Sequence, residues 1–525
     1  MSRMPVLPAL LFACIANAHA TGLPWQKEKT VCTITVNSPD EKETLAARLP
    51  KGKYSFVELV EKGRDDWLHA ACQKHVQCDV LVISGHFNAG ETFYSDKLGV
   101  DENLKVDELE RGACSNSCPG LFSHLKEVYL FGCESLNPDA SKYSSSYGES
   151  GRERMRRIFA NVPQIYGFYS SAPLGATSAM LLNRYFDQGG AGSFGTGNLN
   201  ERLLRIFGHN HMTRVAGVRP GDAQYEYRGQ VCTFFDERKS AADKLRFVHR
   251  LLDGDMAQAR GFFKRIEKLL AAVKPEERAT PQFEHALAEI SADDRARDRF
   301  LAFERDAEPG ERARMIDLAT TLGWLGPDAR RDERLALARD VVARPKLGYA
   351  EVDLVCAMNR DHSLDGVPGP LASMHPHGAA QAAALACLGN PEAHAAVLDA
   401  LASTDEHEVQ PAQAYLRYRP LDDADLRAVA KRIARMPSSP GQVRALESLA
   451  LLNITDRVVL ADLAQAFAAA KSVNVQRAIA EVFIRSDAPL PRTELASLVR
   501  EHRIRAPDSR GDLVDVLLRQ LAPES

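Results

Sequence analysis

The chain has 525 residues, 45% of them hydrophobic, and sets 66 Lys and Arg against 70 Asp and Glu for a formal net charge of -4. That length is far beyond one small core and fits three or four units of about 150 residues each. The slightly acidic balance offers no basic footprint for nucleic acid, and past Ala20 no run reaches the roughly 18 apolar residues that cross a bilayer.

Residues 1–20 place Arg3 before an apolar stretch from Val6 to Ala18 and end on the small-x-small triplet Ala18-His19-Ala20. This is the pattern of a secretory signal peptide cleaved near Ala20. Processing as a lipoprotein at Cys14 is the competing reading, disfavoured by the bulky Phe12 and the short apolar run before it. The mature chain is therefore expected to be exported, with the periplasm the best match, and to have no integral membrane segment.

Export changes how cysteines read, because oxidising compartments permit disulfides. Of ten cysteines, Cys14 leaves with the signal, and the odd number that remains invites one free thiol. Cys133 is the candidate by position. Cys114 and Cys118 stand close together in a turn-rich loop and could bridge each other; Cys32, Cys72, Cys78 and Cys232 are further candidates in the same domain, and connectivity does not follow from sequence. Zinc is the competing use, but no second C-x-x-C or histidine pair stands at finger spacing, so neither metal nor cofactor is expected.

Taken in chain order, residues 64–77 carry Trp67, Leu68, Ala71, Cys72 and Val76 at helical spacing. A buried strand follows from Val80 to Ile83 and stops at Ser84-Gly85-His86-Phe87; a second runs from Val128 to Phe131 and stops at Gly132-Cys133. Neither strand alternates, as expected where both faces of a parallel sheet are covered. GRERMRRIFANV then reads as a helix from Arg152, PQIYGFYSS as a strand and PLGATSAMLLNRYF as a helix. Strand alternating with helix from about Thr30 to Phe186 indicates an α/β layer with a mostly parallel central sheet.

Ligands of such sheets gather at the carboxyl ends of the strands. Adjacent strands ending in a histidine and a cysteine would hold a thiol and a base close together, the arrangement of nucleophilic catalysis. Three further motifs are set aside. Gly190-Ala191-Gly192-Ser193-Phe194-Gly195 fits a dinucleotide pattern but follows a helix, and reads as a flexible loop. His209-Asn210-His211 has no third ligand at motif spacing and reads as a solvated turn. Glu134 and Asp139 read as solvated loop carboxylates.

From about Ser240 strand-like runs vanish and Ala, Leu, Arg and Glu dominate. Apolar helices around Ala380, Ala412, Ala445 and Ala478 recur at intervals of 32, 33 and 33 residues, each followed by a polar turn and a second amphipathic helix. Such a unit cannot bury its face alone, so neighbours must stack into a continuous core. These repeats resemble HEAT-like repeats, whose usual role is to bind a partner protein along a curved face.

The order of strands, with Ser84-Gly85-His86 after one core strand and the string FGCES around Cys133 closing the next, resembles the caspase-like cysteine peptidases, and FGCES is similar to the cysteine string of CHAT domains. The resemblance covers roughly Thr30 to Asp236. The separation of 47 residues between His86 and Cys133 fits the spacing of about 50 in caspases. Phe87 stands where many members have glycine, which is compatible with the position if only its backbone N–H serves. The resemblance implies an exported two-domain hydrolase: a caspase-like peptidase domain over 21–236 and a HEAT-like α-solenoid over 240–525. Peptide bonds of a protein or peptide substrate would be cleaved by a Cys133–His86 dyad, with backbone groups at Gly85, Phe87 and Cys133 holding the oxyanion. The alternative is a catalytically inactive caspase-like scaffold or binding protein of the periplasm.

Overall fold

The computed structural model describes residues 28–37, 39–59, 75–88, 91–95, 102–114, 120–139, 150–364, 371, 374–486, 491–504 and 512–522. Residues 1–20, read above as a signal peptide, and most of the helix expected over 64–77 lie outside them. The chain divides into two compact units, Met1–Ser240 and Ala241–Ser525.

In the first unit the order is β1 (Lys29–Thr35), α1 (Asp40–Arg48), β2 (Tyr54–Glu58), β3 (Val80–Ser84), β4 (His86–Phe87), β5 (Thr92–Tyr94), β6 (Asn103–Lys105), α2 (Val106–Cys114) and β7 (Glu127–Phe131). It continues with α3 (Gly151–Ile158), β8 (Gln164–Phe168), α4 (Gly175–Asp187), α5 (Glu201–Ile206), β9 (Met212–Val215) and α6 (Ala223–Phe235). A six-stranded sheet runs β2-β1-β3-β7-β8-β9. Its first five strands are parallel, and β9 lies antiparallel to β8.

The missing alternation in β3 and β7 has its cause here. Successive strand residues enter two different cores: Leu81, Ile83, Val128 and Leu130 pack with Val106 and Leu109 of α2 and Met155 and Ile158 of α3. Val80, Val82, Tyr129 and Phe131 pack with Leu45 of α1, Leu182 and Tyr185 of α4 and Leu203 of α5. Every residue of β3, β7 and β8 is buried, so a slip of one residue would exchange the two cores without exposing a polar face. Ion pairs tie the covering helices together. The buried Arg154 of α3 reaches Asp107 and Glu110 of α2.

Three disulfides are present among the described residues: Cys32–Cys78, Cys114–Cys232 and Cys356–Cys387. Of the pairings the sequence leaves open, Cys114 takes Cys232 and not Cys118. Cys114 closes α2 where it lies 4.9 Å, Cα to Cα, from Cys232 on α6, so the bond clamps two helices instead of closing a tight turn. Cys118 and Cys72 lie outside the described residues, and Cys133 is the free cysteine among those described.

The loop read as flexible is also corrected. Gly190–Gly192 form a 3-10 turn, and the amides of Gly195 and Gly197 donate to the buried Glu127 carboxylate at 2.7 and 2.8 Å. Tyr129 donates to the same carboxylate, and its ring stacks between Tyr166 and Phe194. Burial raises the Glu127 pKa, against which these hydrogen bonds act. His209 and His211 sit in an exposed turn, and no group of three potential metal ligands occurs among the described residues.

The second unit is helical in its described residues. Helices Ala379–Cys387, Glu406–Leu416, Pro440–Ala450, Val473–Arg485 and Leu513–Gln520 stack one on the next, while Pro391–Ala400, Asp423–Ala434, Arg457–Ala469 and Arg492–His502 form a second row. The small apolar residues of the first row, such as Ala383, Ala412, Ala445 and Ala480, are fully buried where helices meet. No helix among the described residues is long and apolar enough to cross a membrane.

Candidate active site

The chain passes from β1 to β2 on one side, then crosses back to β3 on the other side of β1. Ligands of open sheets gather outside the carboxyl ends of the strands where the order reverses, and His86 and Cys133 both follow carboxyl ends, those of β3 and β7. β3 and β7 are adjacent and in register, Ser84 opposite Phe131. The chain then leaves β3 at Gly85, whose N–H donates to the Phe131 carbonyl at 3.1 Å, and turns into a three-stranded antiparallel sheet of β4, β5 and β6. His86 opens β4, half-buried, opposite Tyr94, with ring centroids 5.5 Å apart.

Gly132 brings the two strand ends together. A Cβ at this position would lie 2.8 Å from the Cβ of Phe87, 2.8 Å from Cε1 of Phe93 and 3.2 Å from the Gly85 carbonyl oxygen. The residue preceding Cys133 therefore packs against both neighbours of His86, an approach that only glycine permits. Phe87 does not cover the site with its side chain. It is buried, its ring centroid 4.4 Å from that of Phe93.

The turn after Gly132 is held on every side. The Cys133 sulfur accepts the Ala172 N–H at 3.4 Å, and Glu134, left-handed at φ 55°, donates its N–H to Ser170 O. Ser135 is fully buried; its hydroxyl donates to Leu130 O and accepts from Phe168 N–H. It fits because Gly167 has no side chain: a Cβ there would lie 2.6 Å from Ser135 Oγ. The cysteine thus rides on a turn fixed to β8 and to the segment leading into α4. Asp139 is exposed and accepts from Tyr169 OH at 3.3 Å.

Of the three backbone positions expected to serve an oxyanion, Gly85 has its N–H engaged elsewhere. Its N–H is committed to Phe131 O, the bond that joins the histidine turn to the cysteine strand. Phe87 differs. Asn88 N–H pairs with Thr92 O, so the alternation of an antiparallel ladder turns the Phe87 N–H away from β5. The Cys133 N–H has no hydrogen-bond partner among the described residues.

Sequence reading missed Glu41. It lies in the first turn of α1 and is fully buried. One carboxyl oxygen accepts the Gly175 N–H that opens α4 at 3.2 Å. The other has no hydrogen-bond partner and lies in the interior near the buried Ser178. Burial pushes its pKa up to about 7, with the Asp40 carboxylate adding to the rise and amide hydrogen bonds opposing it. On the sequence Glu41 is one of several acids opening a helix, and nothing local separates it from the exposed Glu43.

Comparison with protein-family models, with curated proteins and with solved structures returns no match for this chain.

Proposed function

We propose that the first unit is a cysteine peptidase of the caspase-like type, acting through Cys133 and His86. The supporting observation is the close packing of Gly132 against Gly85 and Phe87. It brings the segment carrying the free thiol against the segment carrying the imidazole, at the ligand-binding end of a parallel sheet. That this thiol stays free while six other cysteines are paired fits a reactive role.

In this reading His86 takes the Cys133 proton, and the thiolate sulfur attacks the scissile carbonyl carbon. The carbonyl oxygen gains the negative charge and receives hydrogen bonds from the Cys133 and Phe87 N–H groups. Collapse breaks the C–N bond, with the His86 proton passing to the leaving amine, and leaves a thioester. Water, deprotonated by His86, attacks the thioester; the acid product leaves and the thiol is restored. No metal or cofactor takes part. The helical unit, similar in its sequence period to HEAT-like repeats, would bind substrate or a partner protein, and the disulfides support export to an oxidising compartment.

The test is labelling of the full chain by peptide-linked thiol electrophiles, alongside hydrolysis of a peptide library. Wild type should label at Cys133 and cleave; His86→Ala should lose at least a hundredfold in labelling rate while keeping its melting midpoint. Equal labelling of wild type and His86→Ala would remove the dyad.

A further inference from the structure

The opposite end of the same sheet carries a second concave site. A pocket of about 570 Å³ opens where β8 begins and β9 ends, lined by Arg156, Gln164, Arg214, Arg219 and Asp222 with the backbone of Gly197 and residues 216–217. Gln164 is the first residue of β8, whereas Cys133 follows the last residue of the neighbouring β7. The length of the sheet therefore separates this pocket from the candidate active site.

Its wall is rigid. Gly217 donates to Val162 O, Val218 to Arg156 O and Asn161 to Val218 O, at 2.9, 3.0 and 2.9 Å. Gly217 packs so closely on α3 that a Cβ would lie 1.9 Å from Phe159 O. Arg156 is fixed by three acceptors: Ala216 O, Glu153 and Asp222. Those two carboxylates meet its charge, and Asp222 also caps α6 by accepting the Gln224 N–H.

Arg214 and Arg219 are different. Both are exposed, both line the pocket, and neither has a carboxylate partner among the described residues. Arg48, Arg154 and Arg156 of the same unit, by contrast, are ion-paired. An acidic chain that leaves two guanidinium groups unpaired in one rigid hollow holds positive charge in excess there. Planar guanidinium forks suit tetrahedral oxyanions, each offering parallel N–H donors. Gln164 adds to the same wall: it is nine-tenths buried and its Nε2 donates to Gly197 O at 3.4 Å.

We propose that this pocket binds the phosphoryl group of a phosphate ester, with Arg214 and Arg219 as its charged ligands. The site is independent of the Cys133 chemistry. The same headgroup chemistry is offered by a free polyol phosphate and by an anionic phospholipid, and a two-armed experiment separates them. Full-length protein is titrated calorimetrically with glycerol phosphate at constant ionic strength, and cosedimented with vesicles of phosphatidylglycerol in phosphatidylcholine. Saturable binding in the first arm alone identifies a soluble ester; binding in the vesicle arm identifies a lipid headgroup. In either case Arg214→Gln with Arg219→Gln should weaken binding at least tenfold and leave the melting midpoint and the Cys133 labelling rate unchanged. Exposed side chains without partners can be replaced without harm to the fold, so the double variant reports on binding. Absence of binding in both arms, or equal binding by wild type and the double variant, overturns the proposal.

Discussion

Replacing Glu41 by glutamine tests the buried carboxyl at the start of α1. Its pKa stands near 7 in the folded chain against an ordinary 4.5, raised first by burial. Between those values the native state keeps a proton that the unfolded chain releases. Stability is therefore full below about pH 4.5 and falls as pH rises through 7. A rise of this size corresponds to about 3 kcal/mol, at 1.36 kcal/mol per unit. Glutamine keeps an oxygen for the Gly175 amide and carries no charge at any pH, so Glu41→Gln should remove the slope. At pH 4 the two proteins should be alike; at pH 8 the variant should be more stable by about 3 kcal/mol, or about 5–10 °C in the transition of a unit this large. Urea unfolding from pH 4 to 8, followed by tyrosine fluorescence, measures the difference directly. Parallel stability profiles for wild type and variant would refute the assignment, because the proton taken up on folding would then belong to another group.

Cys133→Ala should abolish labelling and hydrolysis while moving the melting midpoint little, since the half-exposed sulfur contributes one hydrogen bond and little packing; loss of folding in circular dichroism would contradict this. Alkylation without reductant, read by mass spectrometry, should mark Cys133 and spare Cys32, Cys78, Cys114, Cys232, Cys356 and Cys387. Gly132→Ala forces a Cβ to within 2.8 Å of Phe87 and Phe93. It should cost about 1–3 kcal/mol in denaturant unfolding and slow Cys133 labelling at least tenfold, and an unchanged labelling rate would count against the role given to this approach. Glu127→Ala leaves the amides of Gly195 and Gly197 and the Tyr129 hydroxyl without their acceptor; a loss of about 3 kcal/mol or more is expected in the same assay.

The layered part of the fold was legible because its signals are local. Runs such as Val80–Ile83 and Val128–Phe131 are apolar without alternation, and that follows from cores on both faces, one layer away in space but encoded in four successive residues. The stacking of helices was legible for the same reason, since each copy carries its own buried alanines. What escaped notice depends on pairs distant in sequence. Cys114 meets Cys232 across 118 residues, Glu127 meets Gly195 and Gly197 across 68 and 70, and Glu41 meets Gly175 across 134. The glycine before Cys133 was in plain view, but its purpose lies in the Phe87 and Phe93 side chains against it. The commitment of the Gly85 amide likewise follows from the parallel register of β3 and β7, which a linear reading does not contain.

The stacked helices of the second unit give that half of the chain a direction in which it comes apart. Each helix of the first row leans on the one before and the one after, so its free energy is a sum over nearest neighbours, with no central core that must be lost all at once. Among the described residues, Leu513–Gln520 has a neighbour in that row on one side only, Val473–Arg485. Near the other end the Cys356–Cys387 bond ties Tyr349–Met358 to Ala379–Cys387 and cannot be undone by thermal opening. Amide exchange should accordingly be faster in Leu513–Gln520 than in the helices of that row nearer the covalent link, like a zipper fastened at one end.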